Sequence, residues 1–309
     1  DLLWAGVDPA PALRDLGWTV EIRPFHGDLN AHETRLTTRR PALIFNLVEA
    51  MLETDRFAFI AAALFENLRI PFTGSGSSAL FAASDKVVAK RFLSGAGLKT
   101  PGYAAAPDWE GIEEDRTYIV KSTTEHASLG LDAGAVVRGR QAILDRVAAS
   151  RSRWDVGWFA EEYIEGREFN VGVLDLAGGA RAMPLAEMTF KDFPEGKPRI
   201  VDHAAKWREE SMEYQNTTRR FLDEKAEPEL AARVRHAAET AWKLFDMSGW
   251  GRIDMRIDAA GEPYVIDVNV NPDISEDAGM AAAAERAGFP YVSTIGEIVE
   301  AAFRRRMNP

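Results

Sequence analysis

The alternation of apolar and polar residues over 250–272 predicts a β-hairpin. Ile253, Met255 and Ile257 fall on one face of its first strand, and Arg252, Asp254, Arg256 and Asp258 on the other, because side chains alternate along a strand. In the second strand Tyr264, Ile266 and Val268 share a face, and Val265, Asp267 and Asn269 share the opposite one. The polar link 259–262 has a usual hairpin length. With that link Asp258 pairs with Pro263, Asp254 faces Asp267, and Arg252 faces Asn269. A one-residue slip would break the arrangement.

The rest of the chain alternates helical and strand patterns. Residues 9–16 read as a short helix closed by Gly17, 18–22 as a strand, 41–47 as a buried strand and 55–68 as a buried helix. That order suggests a parallel sheet at the N-terminus, with Glu49 at the carboxyl edge where such sheets bind ligands. The Gly- and Ser-rich run 70–78 precedes a helix and could cradle a phosphate on backbone N–H groups, but it lacks the spacing and lysine of a Walker A loop and reads first as a tight connection between domains. A helix over 83–94 carries Asp85, Lys86 and Lys90. Residues 118–121 form a strand ending in Lys121, before a polar run to Gly130. Strands follow at 158–164, 168–174 and 183–190. Residues 191–220 are polar and aperiodic, and a stretch of that length suits a lid. An amphipathic helix covers 227–245, and two more follow the hairpin near 277–287 and 293–306.

With 309 residues, 46% of them apolar, the chain should form two or three globular domains. Its formal net charge of −11 argues against a general nucleic-acid or anionic-membrane binder. The absence of cysteine excludes disulfides, thiolate metal sites and cysteine nucleophiles. No apolar run reaches membrane-spanning length, and no basic flank precedes an apolar stretch at the N-terminus, so a cytoplasmic protein is expected. The chain starts at Asp1 rather than Met, and sequence upstream of it is expected.

Asp254 opposite Asp267 is a repulsive pair unless something offsets it. A hard cation such as Mg²⁺ would, taking carboxylate and amide oxygens together with phosphate oxygens. The plainer alternative is a solvated hairpin face on which Arg252 and Arg256 neutralise the acids. That alternative leaves unexplained the polar run Asn269, Asn271 and Pro272 closing an apolar strand.

Taken in order, several pieces resemble the ATP-grasp superfamily, and within it the D-alanine–D-alanine ligases and related amino-acid ligases. They are the Thr-Gly-Ser turn at 73–75, Asp85-Lys86, Val120-Lys121 with its Ser/Gly loop, the run Glu161 to Glu168, Ala205-Lys206, the run Gly251 to Asp254, and the run Ile266 to Asn269. The resemblance implies an α/β protein, α+β in its ATP-binding part. Its three expected domains are an N-terminal parallel-sheet domain over 1–80, a small ATP-grasp subdomain over 81–158, and a C-terminal metal-bearing domain over 159–309. ATP would lie between two antiparallel sheets. Lys86 and Lys121 would contact ATP, Glu161, Tyr163 and Ile164 would line the adenine site, and Glu168 would hold the ribose. Lys206 would reach the transferred phosphoryl group. Asp254, Asp267 and Asn269 would bind two Mg²⁺ ions, with Mn²⁺ an alternative, and Arg252 would stabilise the transferring phosphate. The partners implied are amino-acid-like small molecules and, from family habit, a second copy in a homodimer.

Departures cluster at the amino-acid end. The bridging metal ligand is Asp267 where the family usually has Glu, and Pro272-Asp273 replaces a Pro-Gly pair. Substrate-gripping serines fall at Ala278 and at Ala127, which lies beside His126 and Ser128. Val48-Glu49-Ala50 replaces a His-Gly stretch. Glu49, His126, Ser128, Asn271 and Asp273 are therefore candidate substrate contacts. The expectation is a carboxylate–amine ligase other than a housekeeping D-alanine–D-alanine ligase. The alternatives are that enzyme itself, an ATP-grasp kinase, and a non-catalytic ATP-binding protein.

Overall fold

The computed structural model describes residues 8–125 and 128–307. Helices α1 (Ala10–Asp15), α2 (Leu29–Thr38), α3 (Phe59–Asn67), α4 (Ser77–Ser84) and α5 (Lys86–Gly95) precede the first sheet. That sheet joins β1 (Tyr103–Ala105), β2 (Thr117–Ser122), β3 (Val136–Arg138) and β4 (Trp158–Glu162) in the order β1-β4-β2-β3, all antiparallel. Helix α6 (Gly139–Arg151) covers one of its faces, where Tyr118 and Val120 meet Ile143 and Val147 in a small core. Ile119 and Lys121, the alternate residues of β2, belong to the other face.

The second sheet holds β5 (Arg167–Leu176), β6 (Gly179–Ala182), β7 (Ala186–Phe190), β8 (Thr217–Phe221), β9 (Trp250–Ile257) and β10 (Pro263–Asn269). Between β7 and β8 run the short helices α7 (His203–Trp207) and α8 (Met212–Asn216). The long helix α9 (Pro228–Leu244) packs on one face of this sheet, where Phe169, Val171, Ile253, Met255, Val265 and Val268 are buried. The other face is divided. At one end Leu174 and Trp250 lie in a core shared with α10 (Gly279–Arg286) and α11 (Tyr291–Met307). Along the same face of β9, Arg252, Asp254 and Arg256 follow Trp250 at alternate positions, beyond that core. One strand thus begins under helices and ends in the cleft.

The hairpin register differs from the expectation at its turn and agrees with it at the charged end. Ile257, not Asp258, pairs with Pro263, so the turn is one residue longer than expected. Asp258 stabilises it by accepting from the Ala260 and Glu262 backbone N–H groups. The ladder then shifts between Val265 and Asp267, leaving Ile266 as a bulge residue. Beyond the bulge Asp267 faces Asp254 and Asn269 faces Arg252. The bulge also reassigns faces: Val265 and Val268 are both buried on the α9 side, whereas strict alternation had separated them.

Residues 18–22 and 41–47 form no ladder. Trp18, Val20, Leu43 and Phe45 pack against the core of α10 and α11, but a strand also needs a neighbouring backbone. Among the described residues, the expected N-terminal parallel sheet is a single parallel bridge from Ile44 to Phe72. The helix expected over 83–94 is two helices, broken where the Asp85 carboxylate accepts from the Val87 and Val88 N–H groups and caps α5. Helix α2 lacks an apolar stripe to betray it and is capped by Asp28. The run 191–220 read as aperiodic holds α7, α8 and part of β8.

Gly166, between β4 and β5, has φ +143, and a Cβ there would lie 1.9 Å from the Ile257 carbonyl oxygen. Gly166→Ala is expected to cost about 3 kcal/mol in urea unfolding, because backbone rather than a flexible side chain must move.

Candidate functional site

The hairpin places three oxygen donors at the edge of the cleft. Asp254 and Asp267 oppose each other directly, and Asn269 follows two residues on. Arg252 and Asp254 point the same way from β9, and Arg252 grips the carboxylate with both arms, Nε to Oδ1 at 2.7 Å and Nη2 to Oδ2 at 2.9 Å. Burial disfavours the guanidinium's charge, but Asp254 first, then Asp267 and Glu168, hold its pKa above the ordinary range. Asn269 Oδ1 accepts from the Asn271 N–H, which fixes the chain's exit from β10. Two facing carboxylates and an amide oxygen are the hard donors that Mg²⁺ takes. Among the described residues no group of three His, Cys, Asp or Glu closes on itself as a metal cage. A site of this kind would leave coordination positions for phosphate oxygens.

On the facing sheet Glu161 is 1% exposed and sits between two lysines. Lys121 Nζ donates to Oε1 at 2.5 Å, and Lys90 Nζ lies 2.5 Å from Oε2 as an ion pair. Lys90 also donates to the Thr100 hydroxyl, which donates to the Val265 carbonyl oxygen of β10, so the pair links the two sheets. Burial alone would raise the Glu161 carboxyl, but Lys121 and Lys90 outweigh it and hold it below its ordinary value. Burial likewise opposes the Lys121 ammonium, and Glu161, Asp267 and Glu168 outweigh it and raise it. Burial pulls the Lys90 ammonium down despite Glu161.

Lys206, on α7, completes the cationic set. Burial and then Arg252 lower its pKa, while Asp254, Asp267 and Glu168 pull the other way. The lid between β7 and β8 is tied at its base by Lys191 N–H to the Asn216 carbonyl oxygen. It is tied to the small sheet's loop by Ser128 Oγ to the Val201 carbonyl oxygen and by His203 N–H to the Leu131 carbonyl oxygen. Ile200 buries itself against Ile119 and Ala135, with Tyr163 packed alongside. Tyr163 Oη accepts from the Arg199 N–H at 3.2 Å.

Lys121, Lys206 and Arg252 thus each lie within electrostatic reach of Asp267 and Glu168, Lys206 and Arg252 also of Asp254, and Lys121 of Glu161. Tyr163 and Ile164 lie at the Glu168 side of the cleft, joined to it through Arg256. Lys86 is spent differently from the other lysines: its Nζ donates to the Glu125 carbonyl oxygen and anchors the loop after β2. At the amino-acid end, Asn271 Nδ2 donates to the Val48 carbonyl oxygen, and Asp273 accepts from Ser275 N–H and Oγ in a turn. His126 lies outside the described residues. Lys90 carried no expected role, and Arg256 only that of neutralising the acids of a solvated face. Lys90 stands one helical turn beyond Lys86, and Arg256 continues the alternation of Arg252 and Asp254.

Glu161 ties stability to pH. Its folded pKa lies below the ordinary 4.5, so its stabilising share is full above that value and is lost as pH falls through the lower one. Glu161→Gln should cost about 3–5 kcal/mol at pH 7, because two buried ammonium groups lose their counter-charge. The gap between variant and native protein should narrow as urea titrations move below about pH 4.

A family model described as "D-ala D-ala ligase C-terminus" matches residues 109–300. A D-alanine–D-alanine ligase of Marinomonas sp. is 32% identical over 246 residues, covering 78% of this chain and 72% of that ligase. The D-alanine–D-alanine ligase of Bacillus anthracis, solved in complex with ATP, shares the fold with a TM-score of 0.65 at 20% identity, covering 89% of this chain and 84% of that one. The VanG D-Ala:D-Ser ligase of Enterococcus faecalis gives a TM-score of 0.65 at 17% identity, covering 84% and 73%. On these grounds the chain belongs to the D-alanine–D-alanine ligase family of ATP-grasp proteins and is an ATP-dependent ligase that forms C–N bonds.

Proposed function

We propose that this ligase uses ATP to activate an amino-acid carboxylate as an acyl phosphate and passes the acyl group to a second amino acid's amine, with D-alanine in both roles. The observation that carries the chemistry is the meeting of Arg252, Asp254 and Asp267 with Lys121 and Lys206 in one cleft. The names of the curated relatives favour D-alanine over the specialised acceptor expected from the substitutions alone.

In this reading a carboxylate oxygen attacks the γ-phosphorus, and the bond from that phosphorus to the β,γ-bridging oxygen breaks with ADP as the leaving group. The amine nitrogen then attacks the acyl carbon, loses a proton, and inorganic phosphate leaves with the electron pair of the broken C–O bond. Lys121 and Lys206 hold phosphate oxygens as point charges, and Arg252 spreads its fork over the transferring group. Asp254, Asp267 and Asn269 would hold Mg²⁺. Such ions neutralise charge on the phosphates during transfer. Arg252 would then exchange its grip on Asp254 for one on phosphate. The lid bearing Lys206 keeps water from the acyl phosphate. The nucleotide contacts of Glu161, Tyr163, Ile164 and Glu168 belong to the same reading.

A second reading, an acceptor other than alanine, draws on the acidic amino-acid end. Glu49 sits at an exposed rim, yet the protein around its carboxyl, then Asp273 and Asp55, push its pKa up to about 7. Position 278, where the family's serine would grip a carboxylate, is Ala at the N-cap of α10. A cationic group on the acceptor would be welcome there. A homodimer is a further expectation, testable by light scattering.

Phosphate release from Mg-ATP should appear with D-alanine alone, and Asp267→Asn should cut its kcat by about 100-fold or more. Release only with an unlike amino-acid pair would move the reading to the specialised acceptor. Release without any amine would point to a kinase. Glu49 gives an independent check of the acidic end. Its raised folded pKa means stability is fully present below about pH 4.5 and lost as pH rises through about 7. Glu49→Gln should therefore gain in Tm over the native protein at pH 8 and not at pH 4.

A further inference from the structure

Arg256 is 4% exposed, and every arm of its guanidinium is occupied. Nε donates to the Ile164 carbonyl oxygen at 2.9 Å. Nη1 donates to Glu168 Oε2 at 3.0 Å and to the Arg199 carbonyl oxygen at 2.8 Å. Nη2 reaches Tyr163 Oη at 3.3 Å, and the guanidinium carbon stands 5.2 Å from the centroid of the Tyr163 ring. These partners come from three separate segments: the turn after β4, the start of β5, and the lid. The strand's packed face is the opposite one, carrying Met255 and Ile257, so Arg256 serves these polar partners rather than the core.

We infer that Arg256 is the positioning residue of the nucleoside end, holding the Glu168 carboxylate and the Tyr163–Ile164 backbone in the one arrangement that can receive the ribose. This rests on the ATP reading above. Arg256 occupies Oε2 of Glu168, and among the described residues no hydrogen bond reaches Oε1. One oxygen is therefore fixed by the protein and the other is left to accept from a ribose hydroxyl. The bond from Nε also fixes the direction of the Ile164 carbonyl group, and so of the turn lining the cleft. A rigid planar fork with five N–H donors can hold several acceptors at once, and an ammonium in its place cannot hold the same set.

The test is binding of Mg-ATP and of Mg-2′,3′-dideoxy-ATP, by titration calorimetry, to the native chain and to Arg256→Met, Arg256→Lys, Glu168→Gln and the Arg256→Met/Glu168→Gln double variant. The native chain should prefer ATP. Arg256→Met and Glu168→Gln should each weaken ATP by about 10-fold or more, the loss of one bond to a charged group. Both should shrink the preference over the dideoxy nucleotide, and the double variant should be no worse than the weaker single one. Arg256→Lys keeps the charge without the fork and should still lose most of the preference; it carries the test if the Met variant fails to fold. If Glu168→Gln abolishes the preference while both Arg256 variants keep it, the positioning role is wrong and the ATP reading stands. If Glu168→Gln itself leaves ATP binding and the preference unchanged, the ribose role of Glu168 falls, and the inference with it.

Discussion

Two carboxylates, Asp254 and Asp267, are held directly opposite each other on neighbouring strands, and much of the cleft is arranged around that repulsion. The bulge at Ile266 enforces it: without the shift, Asp254 would face Ile266 and Asp267 would sit over the core. Around the pair stand Arg252, Lys121 and Lys206, with Glu168 as a third acid. Arg252 takes up one of the two charges by chelating Asp254. The set is close to electrically balanced, so neither a triphosphate nor a divalent cation is welcome alone. A triphosphate of about four negative charges is matched by two divalent cations, so the nucleotide with two such ions would change that balance least. A divalent ion held by Asp254 and Asp267 would leave Arg252 free for a phosphate oxygen.

The small sheet meets this centre through a second buried charge cluster. Glu161 neutralises Lys121, and Lys90 runs on through Thr100 to the backbone of β10. Lys121 is thus held by a partner that is 1% exposed, not left to wander as a solvated lysine would. The lid adds the third wall. Ser128 and Leu131 fasten it to one sheet, and Arg256 and Tyr163 fasten it through Arg199 to the other side of the cleft. The segment between β7 and β8 is therefore joined to both sheets, with Ile200 packed against Ile119 and Ala135.

The charged face of β9 and its opposition to β10 were legible in the sequence because period-two alternation and a short turn leave few registers. The bulge was not legible. Its effect cancelled that of a turn one residue longer, so the correct partners followed from an incorrect turn. The Glu161 cluster escaped for another reason. Lys90 belongs to α5, and only the tertiary fold brings it to β4. Strand patterns at 18–22 and 41–47 misled because apolar alternation reports burial, not hydrogen bonding. The break at Asp85 could have been read from the residue itself, since Asp before a helical run is a cap signal.

The two ends of the cleft are built under different constraints. Arg252 and Asp254 project from β9 at i, i+2 spacing, on a strand whose register also buries the core face. Glu49, Asn271 and Asp273 stand instead on irregular backbone, near Leu52 and Glu53 with φ of 54 and 63, and their bonds are local turns and one link to Val48. Side chains there can change without moving either sheet. Departures from the family pattern therefore gather where the structure tolerates them, and an altered amino-acid end is compatible with an intact phosphoryl-transfer end. The acidity of Glu49 and Asp273 is then a feature to be explained by the substrate's charge or by the turn geometry alone. Asp273 already has a full structural account in its bonds to Ser275, whereas the surrounding protein and the acids Asp273 and Asp55 push the Glu49 carboxyl up to about 7.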